Sequence, residues 1–324
     1  MTSDRPDVLV VGAGVSGLTT GVLLAESGVR VRLRAEQEPR ESSSAAAGAI
    51  WDPIYAKHDR VEHWAARSYD VFTELAQNGF PGVRVIDGVE ASRVAIPTPG
   101  WAVGLPGYRD CAPADLPRGF ASGWHYTAPI IDMPAYLHEL QRRLIAAGGE
   151  LVFGRRLPSL GDAFADTDVV VNCSGVGARE LVPDPTVQPI RGQLVAVHNP
   201  GLTEFFAEHT DELGEMTYLL PQGDVLLLGG SAEKGEADPV PDIRIAEAIV
   251  RRCSEIFPAI GGAEILGHRT GIRPSRPEVR VEHEELGGGR HIVHNYGHSG
   301  AGVSLSWGCA DDVASMVKDI TSAV

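Results

Sequence analysis

The sequence predicts an α/β protein in which a dinucleotide-binding domain is interleaved with a second domain built on a mainly antiparallel β-sheet. A compact βαβ pattern with a glycine-rich turn opens the chain at residues 7–33. A second apolar run, DVVVNC at 168–173, also ends just before a glycine. Short strands separated by turn residues then fill 192–230, which is typical of an antiparallel sheet. Together these patterns predict a Rossmann-like domain assembled from both chain ends and part of the middle.

Both predicted domains are therefore discontinuous. We expect residues 1–50, 135–190 and 286–324 to form the dinucleotide-binding domain. Residues 51–134 and 191–285 are expected to form the substrate-binding domain.

The N-terminal βαβ unit is the clearest local pattern. Residues 7–11 (DVLVV) form an apolar run that is too short for a helix, which predicts a buried strand. A helix is expected from the glycine-rich turn to about Ser27. Residues 29–33 (VRVRL) alternate apolar and charged side chains, as a second strand does.

Three further helices follow from spacing and from their end signals. Apolar side chains at helical spacing predict a helix over 59–76. Another is expected over 133–147, with Asp132 as its cap, Pro134 in its first turn and a glycine pair after its end. The tail from residue 302 predicts a last helix with one apolar side. Between them, strands are expected at 192–197 (GQLVAV), 217–221 (TYLLP) and 224–230 (DVLLLGG).

The glycine-rich turn has the GxGxxG pattern of dinucleotide-binding proteins. Gly12 permits a tight turn, Gly14 lets the backbone approach a pyrophosphate, and Gly17 lets helix and strand pack closely. The N-terminus of the following helix adds free N–H groups and a positive dipole end. Glu36 stands at the end of the second strand, where a carboxylate accepts hydrogen bonds from a ribose. This turn alone leaves NAD and FAD both open.

Composition excludes several classes of partner. The net charge of −15, from 28 Lys and Arg against 43 Asp and Glu, argues against nucleic acid or an anionic membrane. The cysteines form no CxxC pair, so we expect reduced thiols at Cys111, Cys173, Cys253 and Cys309. No apolar run is long enough to span a membrane, and no signal peptide is evident. We therefore expect a soluble, cytoplasmic protein.

Two segments near the C-terminus carry side chains suited to binding. In GIRPSRPEVRVE (271–282), Arg273 and Arg276 each precede a proline, so both are expected in extended backbone. A flat strand would direct them to opposite sides and a polyproline II segment to the same side; the spacing leaves both arrangements open. Either one offers a rigidly held guanidinium, which can bind a carboxylate through two parallel hydrogen bonds.

The second segment is HNYGHSGAG (294–302). A strand over 291–295 would place His291 and His294 on opposite faces, and no cysteine or carboxylate is nearby in sequence to complete a ligand set, although one could come from elsewhere in the chain. We therefore expect no metal site. Core or hydrogen-bonded roles are favoured for His294 and His298, and a general base stays an alternative.

These segments together resemble the D-amino-acid oxidase family. The matching stretches occur in the family's order and cover essentially the whole chain: VGAGVSG, AAGAIWDP (46–53), VVNCSGVGA (170–178), RGQLVAV (191–197), GIRPSRPEVRVE and HNYGHSGAGVSLSWGCA (294–310). The resemblance implies a non-covalently bound FAD, D-amino acids as substrates and oxygen as the electron acceptor. It implies hydride transfer from the substrate α-carbon to flavin N5, yielding a 2-oxo acid, ammonia and hydrogen peroxide. A homodimer is compatible with it.

The resemblance also implies residue roles. Arg273 would pair with the substrate carboxylate, Tyr218 would hydrogen-bond to the same carboxylate, and the Gly300 carbonyl would accept from the substrate amine. Ile50 and Asp52 are candidates for the substrate pocket. The implied cofactor-binding residues are Gly12, Ala13, Gly14, Val15, Ser16, Gly17, Glu36, Ser43, Ser44, Gly48, Ala49, Ile50, Leu157, Ser174, Ser299, Gly300, Gly302, Val303 and Ser304.

The chain departs from better-known eukaryotic members at two places near the site. Those relatives carry a lid tyrosine a few residues before Tyr218, where this chain has a shorter segment around Gly214. They also have glutamine where this chain has Asp52, which would add negative charge near the substrate. Their peroxisomal C-terminal signal is absent, which fits a bacterial cytosolic protein.

Several alternatives share parts of this pattern. A D-aspartate oxidase would need an extra cation directed at the substrate side chain; none is evident beside Tyr218, and Asp52 would oppose an acidic substrate. A glycine or sarcosine oxidase would use the same cofactor in the same way but usually lacks HNYGHSGAG. An NAD-dependent dehydrogenase matches the pattern less well than these flavin oxidases do. A flavin-binding sensor or inactive homologue would be yellow and would produce no peroxide with any D-amino acid.

Overall fold

The computed structural model describes residues 7–322. Its strands, in chain order, are β1 (Val8–Val11), β2 (Val31–Arg34), β3 (Val83–Ser92), β4 (Arg109–Asp110), β5 (Ser122–Ile131), β6 (Glu150–Val152), β7 (Val169–Asn172), β8 (Gln188–His198), β9 (Phe205–Glu208), β10 (Tyr218–Gln222), β11 (Val225–Gly229), β12 (Glu233–Lys234), β13 (Ile265–Ser275), β14 (Arg280–Gly287) and β15 (Arg290–Tyr296). Its helices are α1 (Val15–Glu26), α2 (Val61–Gln77), α3 (Gly100–Val103), α4 (Met133–Ala146), α5 (Leu160–Ala163), α6 (Ala178–Leu181), α7 (Ile243–Ile256) and α8 (Gly302–Ser322).

The first sheet is the parallel sheet that the N-terminal pattern predicts. Its strand order is β14-β15-β7-β1-β2-β6, and only the β14–β15 pair is antiparallel. Every residue of β1 and β7 is buried, which explains their continuous apolar runs. Because β1 lies between β2 and β7, the glycine-rich turn at its carboxyl end opens at the middle of the sheet.

The second sheet is mainly antiparallel. Its order is β12-β8-β11-β10-β9-β3-β5-β4, and β13 pairs with β8 over almost the whole length of both strands. One pair, β3 with β9, is parallel. The two sheets confirm the predicted fold class, a Rossmann-like domain interleaved with a domain that contains a mainly antiparallel sheet.

Helices cover the first sheet and form the larger core. The last helix, α8, packs against both α1 and α2. Trp307 of α8 is buried and donates its indole N–H to the Tyr136 hydroxyl of α4 at 2.9 Å. A separate core lies where α7 packs on the second sheet around Ile249 and Cys253. Among residues 7–322, the helices include none with both the length and the apolar character to cross a membrane.

The predicted elements agree with the structure to within a few residues, with one difference in capping. Pro134 lies in the first turn of α4, but Asp132 makes no side-chain capping hydrogen bond at the preceding position. The arginine–proline segment continues β13 through Ser275, so Arg273 lies in a paired strand. Arg276 follows that strand and is directed away from Arg273, onto Asp184.

The predicted domain division stays a prediction, and strand β14 and helix α2 are the two largest elements that lie elsewhere than it places them. Strand β14 belongs to the first sheet, although most of it precedes the predicted boundary at 286. Helix α2, assigned to the substrate-binding domain, packs on α8 in the larger core. Both differences arise because long-range packing, rather than local pattern, assigns an element to a layer.

Candidate active site

A cleft of about 930 Å³ is lined by residues from both sheets. It brings together twenty of the residues that the sequence singled out, although these are spread over most of the chain. They are Gly12, Ala13, Gly14, Val15, Ser16, Glu36, Ser43, Ser44, Gly48, Ala49, Ile50, Asp52, Leu157, Ser174, Tyr218, Arg273, Gly300, Gly302, Val303 and Ser304. Two others, Gly17 and Ser299, do not line it.

One end of the cleft is the glycine-rich turn between β1 and α1. Gly12 has φ +110°, and a Cβ there would lie 2.3 Å from the Cys173 carbonyl oxygen, so only glycine fits. The Ser44 hydroxyl accepts a hydrogen bond from the Val15 N–H at 3.0 Å, which ties the 42–49 loop to the start of α1. Glu36 follows β2 and lines the same end.

Gly17 and Ser299 act behind the cleft wall. A Cβ on Gly17 would lie 1.9 Å from the Gly12 carbonyl oxygen, so this glycine permits α1 to pack against the turn. The Ser299 hydroxyl accepts from the Arg276 N–H and donates to the Arg276 carbonyl, both at 3.1 Å. Arg276 in turn pairs with Asp184 at 2.9 Å. The positions of Gly17 and Ser299 indicate that these residues pack behind the cleft and hold its wall in place, without direct contact with the cofactor.

Arg273 extends from β13 into the cleft, and its neighbours hold it in place. Its Nη1 donates to the Ser231 carbonyl oxygen at 3.0 Å. Gly192 of β8 leaves space for the guanidinium, since a Cβ there would lie 2.2 Å from Nη1. An arginine supported in this way presents its remaining N–H groups in a fixed direction.

Tyr218, the first residue of β10, lines the same cleft. Its ring lies against Gly229 of the paired strand β11, where a Cβ would be 1.9 Å from the ring carbon Cζ. Burial raises the pKa of Tyr218 to about 12, while the nearby Arg273 charge opposes that rise. The phenol is therefore a hydrogen-bond donor throughout the neutral range.

Gly300 lies beside Arg273, in a segment that follows β15 and contains His298; His294 lies within β15. A Cβ on Gly300 would lie 3.3 Å from Arg273 Cδ. His298 Nε2 is 3.1 Å from Asn295 Oδ1, and burial lowers the pKa of His298 to about 4. Burial also lowers the pKa of His294, which lies 3.3 Å from both Asn172 and Glu284. Both imidazoles are therefore neutral and hydrogen-bonded within the protein, and His298 and Gly300 both line the cleft.

The loop after Ile50 forms another wall of the cleft. Asp52 donates its backbone N–H to the Ser304 hydroxyl at 2.9 Å, which joins this loop to the first turn of α8. The Tyr55 hydroxyl lies 2.6 Å from the Thr210 hydroxyl, so the same loop also reaches the segment before β10. Ile50 and Asp52 both line the cleft, as expected of pocket candidates.

Sequence reasoning missed three residues that shape this site. Gly192 and Ser231 support Arg273, and Tyr55 joins the loop after Ile50 to the segment before β10. No local sequence pattern predicts that Gly192 and Ser231 support Arg273, because their roles depend on the pairing of β8 with β13. Tyr55 has φ +69°, which is rare for a side chain of this size, but a sequence does not reveal backbone angles.

The parallel sheet, its glycine turn and the adjoining second sheet define a dinucleotide-dependent enzyme with a substrate domain. Residues 7–316 match the model of the DAO family, described as FAD dependent oxidoreductase, and the chain belongs to this family. It is 48% identical over 310 residues to a D-amino-acid oxidase of Rubrobacter xylanophilus, covering 95% of this chain and 94% of that protein. It is 46% identical over 315 residues to a D-amino-acid oxidase of Streptomyces coelicolor, covering 96% and 97%.

A solved structure supports the fold. The glycine oxidase of Geobacillus kaustophilus superposes with a TM-score of 0.81 at 21% identity, covering 98% of this chain and 95% of that one. Membership of the family makes FAD the cofactor, and the cleft fits it. The dinucleotide end offers a turn with no side chain at Gly12, serine hydroxyls and the Glu36 carboxylate, which suit phosphate and ribose.

Proposed function

We propose that this protein catalyses the FAD-dependent oxidative deamination of D-amino acids. The observation that carries the proposal is the meeting of Arg273, Tyr218 and Gly300 in the cleft that also contains the glycine-rich turn. The names of the two bacterial relatives support the same activity. The products would be a 2-oxo acid and ammonia, formed when the released imino acid is hydrolysed by water.

Arg273 and Tyr218 would bind the substrate carboxylate. Arg273 has its Nη1 held by the Ser231 carbonyl and can direct its other N–H groups at the carboxylate oxygens. Tyr218 remains protonated because of its raised pKa, so it donates to the carboxylate and adds no negative charge there. The two donors fix one end of the substrate.

The Gly300 carbonyl would accept a hydrogen bond from the substrate amine. Once the carboxylate and the amine are both held, only one enantiomer directs its α-hydrogen toward the cofactor, and we assign the D form to it. The chemistry that bound FAD supplies is acceptance of this hydrogen as hydride at N5 and reduction of oxygen to hydrogen peroxide. The protein contributes position, exclusion of water and electrostatics.

The cofactor would lie along the length of the cleft. The turn of Gly12 and Gly14 and the start of α1 would hold the pyrophosphate, and Glu36 the ribose. The start of α8 would direct its N–H groups and positive dipole end at the ring system. The remaining cofactor contacts would come from Ala13, Val15, Ser16, Ser43, Ser44, Gly48, Ala49, Ile50, Leu157, Ser174, Gly302, Val303 and Ser304.

We also propose a cytoplasmic location and a bacterial origin. The cysteines of the described residues are all free, which suits a reducing compartment. The two relatives above are bacterial proteins. The homodimer stays a prediction.

Replacing Arg273 by alanine tests the proposed site. The substrate carboxylate would lose its charged partner in a poorly hydrated cleft, which costs roughly 3–5 kcal/mol. We expect kcat/KM for D-alanine to fall by about 10²- to 10⁴-fold with FAD still bound. Arg244→Ala is the matched control, because Arg244 lies on the surface of α7 with 90% of its side chain exposed. Near-normal kinetics in Arg273→Ala would refute the assignment.

A further inference from the structure

A buried carboxylate outside the cleft joins three segments of the chain. Asp184 lies between α6 and β8 and is 8% exposed. Its Oδ1 accepts hydrogen bonds from the Thr186 N–H at 3.0 Å and from the Thr186 hydroxyl at 2.5 Å. Its Oδ2 accepts from Arg276 Nε at 2.9 Å and from the Tyr296 hydroxyl at 2.8 Å. Because Arg276 follows β13 and Tyr296 ends β15, one carboxylate fastens both strands to the segment before β8.

Asp184 keeps a negative charge in this position. Burial opposes ionisation, but hydrogen bonds from Thr186, Tyr296 and Arg276 outweigh it, so the pKa of Asp184 lies below its ordinary value. The bond to Arg276 is therefore a charged pair, and a hydrogen bond between charged partners is stronger than a neutral one. Only 22% of the Arg276 side chain is exposed, so salt screens this pair weakly.

Arg276 connects this anchor to the segment after β15. The Arg276 N–H donates to the Ser299 hydroxyl, and that hydroxyl donates to the Arg276 carbonyl, both at 3.1 Å. The Ser299 N–H donates to the Pro274 carbonyl at 3.1 Å. Gly297 lies against the Arg276 side chain, since a Cβ there would be 2.8 Å from Arg276 Cδ. The segment is therefore held by Asp184 through Arg276 as well as through Tyr296 at its start.

The backbone of this segment needs such support. The φ angle is +55° at Ser299 and +115° at Gly300. A residue with a side chain is disfavoured at positive φ and stays there only where the surrounding contacts fix it. If Arg276 moved, Ser299 could relax to negative φ, which would rotate the adjoining Gly300 out of its place at the cleft.

The support of Arg273 is separate from that of Gly300. Arg273 Nη1 is held by the Ser231 carbonyl, and pairing with β8 holds β13 as far as Ser275. Neither contact involves Asp184. A change at Asp184 should therefore displace Gly300 and leave the Arg273 guanidinium in place.

We propose that Asp184 is a positioning residue for the reaction. Through Arg276 and Tyr296 it fixes the place of Gly300, so that the Gly300 carbonyl meets the substrate amine while Arg273 holds the carboxylate independently. This inference rests on the proposed function and adds to it a residue that touches neither substrate nor cofactor.

The test compares two ligands that differ only in the amine, on the FAD-bound enzyme. Propionate has the carboxylate and the methyl group of D-alanine but no amine. Asp184→Asn keeps the size of the side chain and removes its charge. We expect kcat/KM for D-alanine to fall about 10- to 100-fold in this variant, because the amine contact is misplaced. The inhibition constant of propionate and the FAD content should stay at their wild-type values.

This difference between the ligands separates positioning from a merely structural role, which would weaken both ligands and the cofactor together. Asp319→Asn is the matched control, because Asp319 is exposed on α8. We expect it to retain wild-type values for D-alanine and for propionate.

Ser299→Ala breaks the same link at its other end and removes no buried charge, so it decides the question if Asp184→Asn does not fold. We expect the same loss for D-alanine with propionate unaffected. The losses of the two variants should not multiply in the double variant, since both act on one link.

Wild-type kinetics with D-alanine in folded Asp184→Asn or in Ser299→Ala would overturn the inference. An equal loss for propionate, or losses that multiply in the double variant, would overturn it as well. Failure of the wild type to oxidise any D-amino acid would instead overturn the proposed function.

Discussion

Gly192 offers the sharpest test of how the site is built, because no site role was predicted for it from the sequence. It belongs to β8 and has an ordinary strand conformation, so alanine causes no backbone strain there. An added Cβ would lie 2.2 Å from Nη1, 2.5 Å from Cζ and 2.6 Å from Nη2 of Arg273. The guanidinium is the flexible end of its side chain, so Gly192→Ala should fold and displace Arg273.

The size of the effect follows from these distances. Ordinary contacts begin at 3.4 Å, so the guanidinium must move by about 1 Å. A displacement of roughly 1 Å in a positioning group costs about 10²-fold in rate. We therefore expect kcat/KM for D-alanine to fall about 100-fold in Gly192→Ala, with FAD content unchanged.

The assay is steady-state peroxide production combined with flavin absorbance of the purified protein. Gly267→Ala is the matched control, since Gly267 lies on the same strand as Arg273 and a Cβ there meets no atom within 4 Å. Wild-type kinetics in Gly192→Ala would refute the idea that β8 positions Arg273. Loss of FAD in the same variant would refute the idea that Arg273 can be displaced without affecting the part of the cleft that binds FAD.

Two other predictions test the remaining chemistry. Tyr218→Phe removes a neutral donor to a charged carboxylate, worth roughly 1.5–3 kcal/mol, so kcat/KM should fall about 10- to 150-fold; a change below threefold would contradict the role of the phenol. Burial on folding raises the pKa of Asp52. Above about pH 4 the unfolded state releases this proton while the folded state keeps it, and this stabilises the folded state. The stabilisation is lost as pH rises through the pKa of Asp52 in the folded state. In urea unfolding at fixed free FAD, Asp52→Asn should therefore gain stability relative to the wild type as pH rises, and a pH-independent difference would refute the shift.

Much of the fold could be predicted because its signals are local. The strands β1 and β7 are buried on both faces, so the apolar runs VLVV and VVV, each with a glycine soon after, were enough to indicate them. The last helix was likewise marked by its apolar side. The parallel pairing of β3 with β9 had no such signal, because it joins segments more than a hundred residues apart.

The site was predictable to the extent that it consists of motif residues. Arg273 was expected to bind a carboxylate, but two directions remained open for it and Arg276 until the pairing of β13 with β8 was known. No site role was predicted for Asp184 from the sequence. Its contacts with Arg276 and Tyr296 depend on three separate segments, and no local pattern encodes them.

The central claim is that this cleft oxidises D-amino acids through bound FAD, and anaerobic reduction of the flavin tests it most directly. The purified protein is mixed with D-alanine or L-alanine without oxygen, and the visible absorbance of the oxidised flavin is followed. The account predicts rapid bleaching by D-alanine and none by L-alanine, with bleaching slowed about 10²-fold or more in Arg273→Ala. Bleaching by both enantiomers, or by neither D-alanine nor any other neutral D-amino acid, would contradict it.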